Sequence, residues 1–195
     1  MENNQRELLL PEKEEIQNEL KRERNKSRYR RIIKNSIYAL LVIAAVAVLV
    51  ATFIFPVLQI SGTSMQPTLN NGEIVVVLKT DDLERGDLCA FNYSNKVLIK
   101  RVIGLPGDEI TMDPDGTVCV NGQILDEPYL LSKSYGECDI EFPFVVPQEE
   151  YFVMGDQRET SIDSRNTVIG TIAKDQIVGE LFLKLWPLSD FSFID

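Results

Sequence analysis

The sequence predicts a mostly β fold, an antiparallel β-sheet or partly closed barrel, preceded by one membrane-spanning helix. Residues 37–58 are almost wholly apolar, and no charged residue lies between Lys34 and Glu73. After residue 60 the apolar residues come in short runs or at every second position between turn residues, which is typical of antiparallel strands. We therefore expect a basic tail over 1–35, a helix over 36–58 and a β domain over 59–195.

The first 35 residues form a charged tail whose structure the pattern leaves open. They carry ten Lys or Arg and seven Asp or Glu, a net charge of +3. Pro11 and the irregular apolar positions leave two alternatives, a transient amphipathic helix or a disordered segment. Residues 21–34 hold eight basic residues and one acid, Glu23. Such a cluster beside a span is held on the cytoplasmic side and attracted to anionic lipid.

The apolar run is long enough to cross a bilayer, for which about 20 residues suffice. A cleavable signal peptide and a buried core helix are the alternatives. The run is longer, and starts further from the N-terminus, than in an ordinary cleaved signal peptide. We therefore expect an uncleaved anchor in the cell membrane that ends at Pro56, with the N-terminus in the cytoplasm and the β domain outside.

The β domain contains seven segments with the composition and period of strands. They cover residues 73–79, 88–93, 97–103, 109–112, 117–120, 150–154 and 177–186. Tight turns are expected at 113–116 and at Asn121-Gly122. Residues 128–147, which contain three prolines, are expected to form a surface excursion. No helix of ordinary length is predicted outside the span.

Composition excludes several classes of function. Residues 36–195 carry ten basic and twenty-three acidic residues, a net charge of −13, which argues against nucleic acid as a partner. The chain has no histidine, which excludes Ser-His-Asp and Cys-His catalysis and histidine-ligated zinc. A hydrolase of this composition needs Lys, Asp, Glu or the terminal amine as its base.

The three cysteines, Cys89, Cys119 and Cys138, lack the spacing of a metal site. Outside the cell one disulfide could form and leave one thiol over. If one forms, Cys119–Cys138 is the pair that we expect. Three buried free thiols are the alternative, since unpaired cysteine is often buried.

Three polar islands stand out among the strands, at residues 61–69, 100–108 and 155–165. In the first, Ser64 lies between Gly62, which permits unusual backbone angles, and Pro67, which restrains the turn. A hydroxyl on such a turn is a candidate nucleophile. The alternative is a simple linker between the membrane span and the domain.

The second island places Lys100 on a strand between Leu98 and Val102. Burial there would lower the lysine pKa, and a neutral lysine can take a proton from a serine hydroxyl. The alternative is a strand lysine whose ammonium group extends to water.

The third island mixes opposite charges with hydroxyl groups. Its charged residues can form a network that rigidifies the loop, while Ser161 could accept a hydrogen bond and orient a neutral lysine. The alternative is a solvated polar loop of little energetic consequence. The charged residues are Asp156, Arg158, Asp163 and Arg165.

Together the islands resemble the signature boxes of bacterial type I signal peptidase. The first reads S-M-Q-P-T-L from Ser64, and the second reads K-R-V-I-G-L-P-G-D from Lys100. The third, G-D-Q-R-E-T-S-I-D-S-R from Gly155, is similar to the family's G-D-N-R-D-N-S-x-D-S-R. The match runs over residues 57–186 in the family's order, and the single preceding span also fits.

The resemblance implies a membrane-anchored serine endopeptidase with a Ser-Lys dyad, which removes signal peptides from exported preproteins without a metal or cofactor. It implies Ser64 as the nucleophile and Lys100 as the general base. Ser161 would hold Lys100, and the backbone N–H of Ser64 would serve the oxyanion hole. The further supporting residues would be Asp163 and Arg165, which brace the site, with Asp156, Arg158 and Arg101.

The chain departs from some relatives at Gly62, where they have a serine whose hydroxyl assists the oxyanion hole. Gln157, Glu159 and Thr160 also replace the family's Asn, Asp and Asn. Two other functions compete with the protease. A β domain that only binds or scaffolds predicts the loss of Ser64 or Lys100, and a repressor-type autoprotease predicts a DNA-binding domain instead of the span.

Overall fold

The computed structural model describes residues 13–194. The chain divides into two compact units, residues 1–51 and 52–195. The described part of the first unit belongs to one long helix, and the second unit contains the strands. The first twelve residues of the predicted tail lie outside the described residues.

Helix α1 runs over Lys13–Ile54, 42 residues. At 1.5 Å per residue it is about 63 Å long, roughly twice the hydrocarbon thickness of a bilayer. By length and composition it is able to cross a membrane, and the apolar window that qualifies it is fully exposed. From Lys13 onward the tail is part of this helix. Of the two alternatives for the tail, the structure shows the helical one in this part.

The helix ends at Ile54, two residues before Pro56, which was expected to end it, and four residues before the end of the expected range 36–58. Proline restricts the residue before it and has no backbone N–H, so Phe55-Pro56 breaks the helical pattern. The Pro56 carbonyl instead accepts a hydrogen bond from Val77 N at 2.8 Å. Val57 and Leu58 therefore belong to a strand.

The described part of the second unit forms twelve strands and two short 3-10 turns. The first six strands are β1 (Val57–Gln59), β2 (Ile74–Leu78), β3 (Leu88–Tyr93), β4 (Lys96–Gly104), β5 (Glu109–Met112) and β6 (Val118–Val120). The others are β7 (Gln123–Ile124), β8 (Phe144–Val145), β9 (Glu150–Met154), β10 (Ile172–Ala173), β11 (Ile177–Trp186) and β12 (Ser192–Phe193). The 3-10 turns are Lys174–Gln176 and Leu188–Asp190.

The strands form two antiparallel sheets. The larger has the order β1-β2-β11-β3-β4-β9-β10, with β12 also paired to β11. The smaller has the order β7-β6-β5-β8. Because β1 and β10 each have one partner, the larger sheet is open rather than a closed barrel. The expected mostly antiparallel β fold behind an N-terminal apolar helix is confirmed.

The core of the larger sheet also fixes the segment that follows Ser64. Met65 and Leu69 are buried in one apolar cluster with Val75, Val77 and Leu181. Full burial of a side chain of this size contributes about 1.5–3 kcal/mol. The polar first island is therefore anchored to the sheet by two apolar side chains.

Residues 128–147 lie at the surface, as expected, since Val146 alone among them is buried, but the segment is packed against the domain. Tyr135, Ile140 and Phe142 pack on the core of the smaller sheet. The rings of Tyr135 and Phe142 meet edge to face with centroids 6.4 Å apart. Their apolar surface holds the segment against the domain.

The disulfide alternative, Cys119–Cys138, does not describe the structure, because all three cysteines are free thiols. Cys89 is buried, while Cys119 and Cys138 are half-buried. The alternative of three free thiols therefore describes the structure, although burial is complete only for Cys89.

Candidate active site

Ser64 lies on a loop that leaves and rejoins the larger sheet at one point. Ile60 N donates to Glu73 O at 2.8 Å, and Gly72 N donates to Ile60 O at 2.9 Å. These bonds close the neck of the loop, residues 60–73. A loop closed at its neck and packed by its own side chains can hold a reactive group in place.

The turn before Ser64 depends on Gly62, whose φ of 104° is accessible to few other residues. Its N–H donates to Asn71 Oδ1 at 2.9 Å, across the loop. The carbonyl of Ser64 accepts a hydrogen bond from Gln157 N at 3.0 Å, which ties the first island to the third. Within residues 13–194, no group accepts a hydrogen bond from the backbone N–H of Ser64, so that donor is available to a substrate.

Lys100 lies on β4 and is only 4% exposed. Its Nζ donates to Ser161 Oγ at 2.8 Å. Burial lowers the pKa of Lys100, and the nearby charges of Asp163 and Arg165 have opposing, smaller effects. The neutral form of the amine is therefore more favoured at Lys100 than at a lysine in water.

Ser64 and Lys100 line the same cleft, which has a volume of about 130 Å³. One wall comes from β1 and the residues after it, and the other comes from the first half of β4. Most of the lining is apolar. The remaining lining residues are Leu58, Gln59, Ile60, Ser61, Gly62, Met65, Val97, Leu98 and Ile99.

Gly155 lets three parts of the site approach one another. A Cβ atom at this position would lie 2.2 Å from Ser161 Oγ and 2.7 Å from Ser64 O. Both distances are shorter than real Cβ contacts, so any other residue would displace one of these serines. The close packing of Ser64 and Ser161 thus requires glycine here.

Asp163 and Arg165 form a fully buried ion pair behind Ser161. Arg165 Nε donates to Asp163 Oδ1 at 2.8 Å, and Gly155 N donates to Asp163 Oδ2 at 2.9 Å. Burial alone would raise the Asp163 pKa, but the bonds and charge of Arg165 outweigh it and hold the pKa below its usual value. The pair fixes the backbone that carries Ser161.

Arg101 and Asp156 join the second island to the third. Arg101 Nε lies 2.9 Å from Asp156 Oδ1, and its Nη2 lies 2.8 Å from Oδ2. This two-point geometry is specific as well as strong. Thr68 of the first island donates to the same carboxylate, so all three islands meet there.

Arg158 takes its partner from outside the islands. It pairs with Glu127, and both side chains are 1% exposed. Next to this pair, the Tyr129 ring centroid lies 3.9 Å from the guanidinium carbon of Arg101, a cation–π geometry. Residues 127–129 thus cover the charge network.

The candidate site residues singled out from the sequence lie together in the structure. Asp163 and Arg165 pair within the third island, whereas Asp156 and Arg158 each pair with a residue outside it. Glu127, Tyr129 and Thr68 also belong to this network, and no sequence motif gave any of them a role. No charge imbalance pointed to Glu127, since the islands hold four acids beside their three arginines, namely Asp108, Asp156, Glu159 and Asp163. Nothing in the sequence distinguishes Tyr129.

The cleft thus holds the buried amine of Lys100 and the hydroxyl group of Ser64, together with a backbone N–H at Ser64 that can donate to a bound group. Across residues 13–194, no group of three His, Cys, Asp or Glu side chains could hold a metal ion.

Comparison with known proteins gives consistent matches. The model of the family described as signal peptidase, peptidase S26, matches residues 33–186. Signal peptidase I P of Bacillus subtilis subsp. natto is 41% identical over 165 residues, which cover 78% of this chain and 88% of that protein. Signal peptidase IB of Staphylococcus aureus (strain MRSA252) is 40% identical over 166 residues, covering 74% and 85%. A signal peptidase I structure from Enterococcus faecalis V583 is 30% identical, with a TM-score of 0.44, and covers 51% of this chain and 97% of that one.

Proposed function

The chain belongs to the signal peptidase family, peptidase S26, and is a serine endopeptidase; we propose that it removes signal peptides from exported preproteins with a Ser64–Lys100 dyad. The observation that carries the proposal is the environment of Lys100. Its amine is buried, hydrogen-bonded to Ser161 and placed in one cleft with Ser64. A lysine held in this way can act as a base near neutral pH, where an ordinary lysine is charged.

In the acylation step Ser64 Oγ attacks the scissile carbonyl carbon while its proton passes to neutral Lys100 Nζ. The carbonyl oxygen becomes an oxyanion, which the Ser64 N–H stabilises. One such donor is typically worth about 3 kcal/mol. Gly62 N–H does not serve here, because Asn71 already accepts its hydrogen bond.

Collapse of this intermediate breaks the peptide C–N bond. The Lys100 ammonium protonates the leaving amine, and the signal peptide remains as an ester on Ser64 Oγ. In the second step Lys100 takes a proton from water, whose oxygen attacks the ester carbonyl. Return of that proton to Ser64 Oγ releases the signal peptide as an acid and restores the enzyme.

An extended peptide can bind along the cleft by adding to strand edges. β1 pairs with β2 alone, and the register of β9 on β4 begins at Arg101, so residues 97–100 have an open edge. The apolar lining and small volume of the cleft suit short apolar side chains. This agrees with the small residues that the family prefers at the first and third positions before the cut.

We further propose that α1 anchors the enzyme, with its basic half in the cytoplasm and the β domain outside. The apolar positions at Leu40 and Ile43 are 70% and 68% exposed, which costs free energy in water but not in lipid. A tag at the C-terminus should therefore be accessible to protease from outside intact cells. Protection of that tag would contradict this orientation.

Cleavage of a purified preprotein by the detergent-solubilised full chain tests the proposed function. We expect cleavage at the end of the signal peptide by the wild type, and none by Ser64→Ala or Lys100→Met. Ser132→Ala, an exposed serine, is the matched control and should retain full activity. Full activity of folded Ser64→Ala would overturn the proposed dyad.

A further inference from the structure

An ion pair outside the cleft, between the half-buried Lys184 and the buried Glu73, contacts the nucleophile loop. Lys184 lies on β11, and Glu73 forms the neck of the loop with Ile60. Lys184 Nζ lies 3.1 Å from Glu73 Oε2 and 3.2 Å from Oε1. The mechanism above uses neither side chain.

The same ammonium group also reaches into the loop. Lys184 Nζ donates to Thr68 O at 3.3 Å, four residues after the nucleophile. One cation therefore binds both the neck of the loop and the segment that follows Ser64. The Thr68 hydroxyl is held from the other side by Asp156, so Thr68 is fixed between β11 and the charge network.

The electrostatics favour a stable clamp. Glu73 is 4% exposed, and burial alone would raise its pKa. Bonds from Asn70 and from Lys184 outweigh burial, and the net pKa lies below its usual value. Asn70 Nδ2 donates to Glu73 Oε1 at 3.1 Å, so the carboxylate also binds the loop directly.

We propose that Lys184 and Glu73 are positioning residues, which hold the loop of residues 60–73 where Ser64 faces Lys100. This role rests on the proposed function of Ser64 and Lys100. The contacts support it because the two side chains bind the loop at its neck, at Asn70 and at Thr68, while neither lines the cleft. Loss of the clamp would move the nucleophile without changing the base or the apolar walls.

A positioning role and a purely stabilising role predict different kinetics. Misplacement of a nucleophile by 1 Å can cost about 100-fold in rate. For Lys184→Met we therefore expect kcat per folded molecule to fall about 10- to 100-fold, with KM within about twofold. The pH at half-maximal kcat/KM should stay unchanged, because Lys100 keeps its surroundings.

The experiment measures kcat, KM and this pH midpoint for preprotein cleavage by the full chain, with the folded fraction taken from circular dichroism. Glu73→Gln keeps the shape of the side chain and removes its charge, so it should also lower kcat. If Lys184→Met does not fold, the kcat of Glu73→Gln tests the proposal in its place. Lys174→Met is the matched control, since the Lys174–Glu149 pair is 37% and 78% exposed. It should behave as the wild type does.

Folded variants of Lys184 and Glu73 with wild-type kcat would overturn the proposal. A loss of activity fully explained by a smaller folded fraction would also overturn it. The same holds for a shift in the pH at half-maximal kcat/KM, because that shift would place the defect at Lys100. A wild-type chain that cleaves no preprotein would instead count against the proposed function, which keeps the two failures distinct.

Discussion

The Lys100 amine and the Ser161 hydroxyl lie 2.8 Å apart, and the two residues are 4% and 1% exposed. A long lysine side chain has many rotamers, so a buried acceptor that fixes its end is needed to direct the amine at a reacting group. Ser161 is in turn placed by the buried Asp163–Arg165 pair.

Ser161→Ala should reduce kcat about 10- to 100-fold, because the general base loses its orientation. The substitution removes one oxygen atom, so the fold should persist. Cleavage kinetics and a thermal melt of the same preparation check both statements. Unchanged kcat would show that the packing around Lys100 orients it without Ser161.

Gly155→Ala should abolish activity by sterics alone. The added Cβ would lie 2.2 Å from Ser161 Oγ and 2.7 Å from Ser64 O, so both catalytic segments would have to separate. We expect a loss in kcat/KM of at least about 100-fold, as for other misplaced catalytic groups. Gly170→Ala is a useful control, since nothing lies within 4 Å of a Cβ there, although its φ of 65° adds some strain. Wild-type activity of Gly155→Ala would contradict the geometry.

Lys100→Met should make the protein more stable at neutral pH while it abolishes cleavage. Burial lowers the folded-state pKa of Lys100 below the unfolded value of about 10.4. The unfolded chain then binds more protons between these two values, so wild-type stability rises with pH across that window. The advantage of methionine is therefore largest below the folded pKa and shrinks toward pH 10.

Denaturant unfolding of the wild type and of Lys100→Met, from neutral pH to pH 10, measures this difference. Lys79→Met, an exposed lysine, controls for the loss of one charge. A difference in unfolding free energy that grows with pH would show that the folded-state pKa of Lys100 is raised instead.

Glu127→Ala should destabilise the domain by about 3–5 kcal/mol, because it leaves Arg158 charged and unpaired in the interior. Both side chains of the pair are 1% exposed. The double variant Glu127→Leu, Arg158→Met should recover much of that loss, since it removes both charges together. Chemical denaturation measures the three free energies. A double variant no more stable than Glu127→Ala would contradict a charge-burial origin.

Much of the fold could be predicted from local sequence. The bounds of four strands agree with those predicted from the apolar positions, namely β3, β5, β9 and β11. Each of these strands places its own side chains alternately inward and outward, so its period is visible in the sequence. The strands that were missed have two or three residues, as β7 and β12 do. Such strands are defined by hydrogen bonds from a neighbour and have no period of their own.

The site was predictable as a set of residues but not as a set of pairs. The islands resembled known boxes, so Ser64, Lys100 and Ser161 were singled out before any geometry. Of the ionic pairs, the local one between Asp163 and Arg165 was predicted. The others were not, because Arg101 and Asp156 are 55 residues apart and Arg158 and Glu127 are 31 apart. Opposite charges close in sequence suggested a local network, whereas the fold supplied partners from other strands and loops.

The titration of Lys100 itself, compared with catalysis, tests the central claim most directly. Carbon-13 labelling of the lysine ε-carbons allows the pKa of Lys100 to be measured by NMR in Ser64→Ala, with Lys100→Met used to assign the signal. We predict a midpoint well below the ordinary lysine value, equal to the pH at half-maximal kcat/KM of the wild type, with activity lost as the pH falls below it. An ordinary lysine midpoint, or a catalytic midpoint that differs from that of Lys100, would contradict Lys100 as the base.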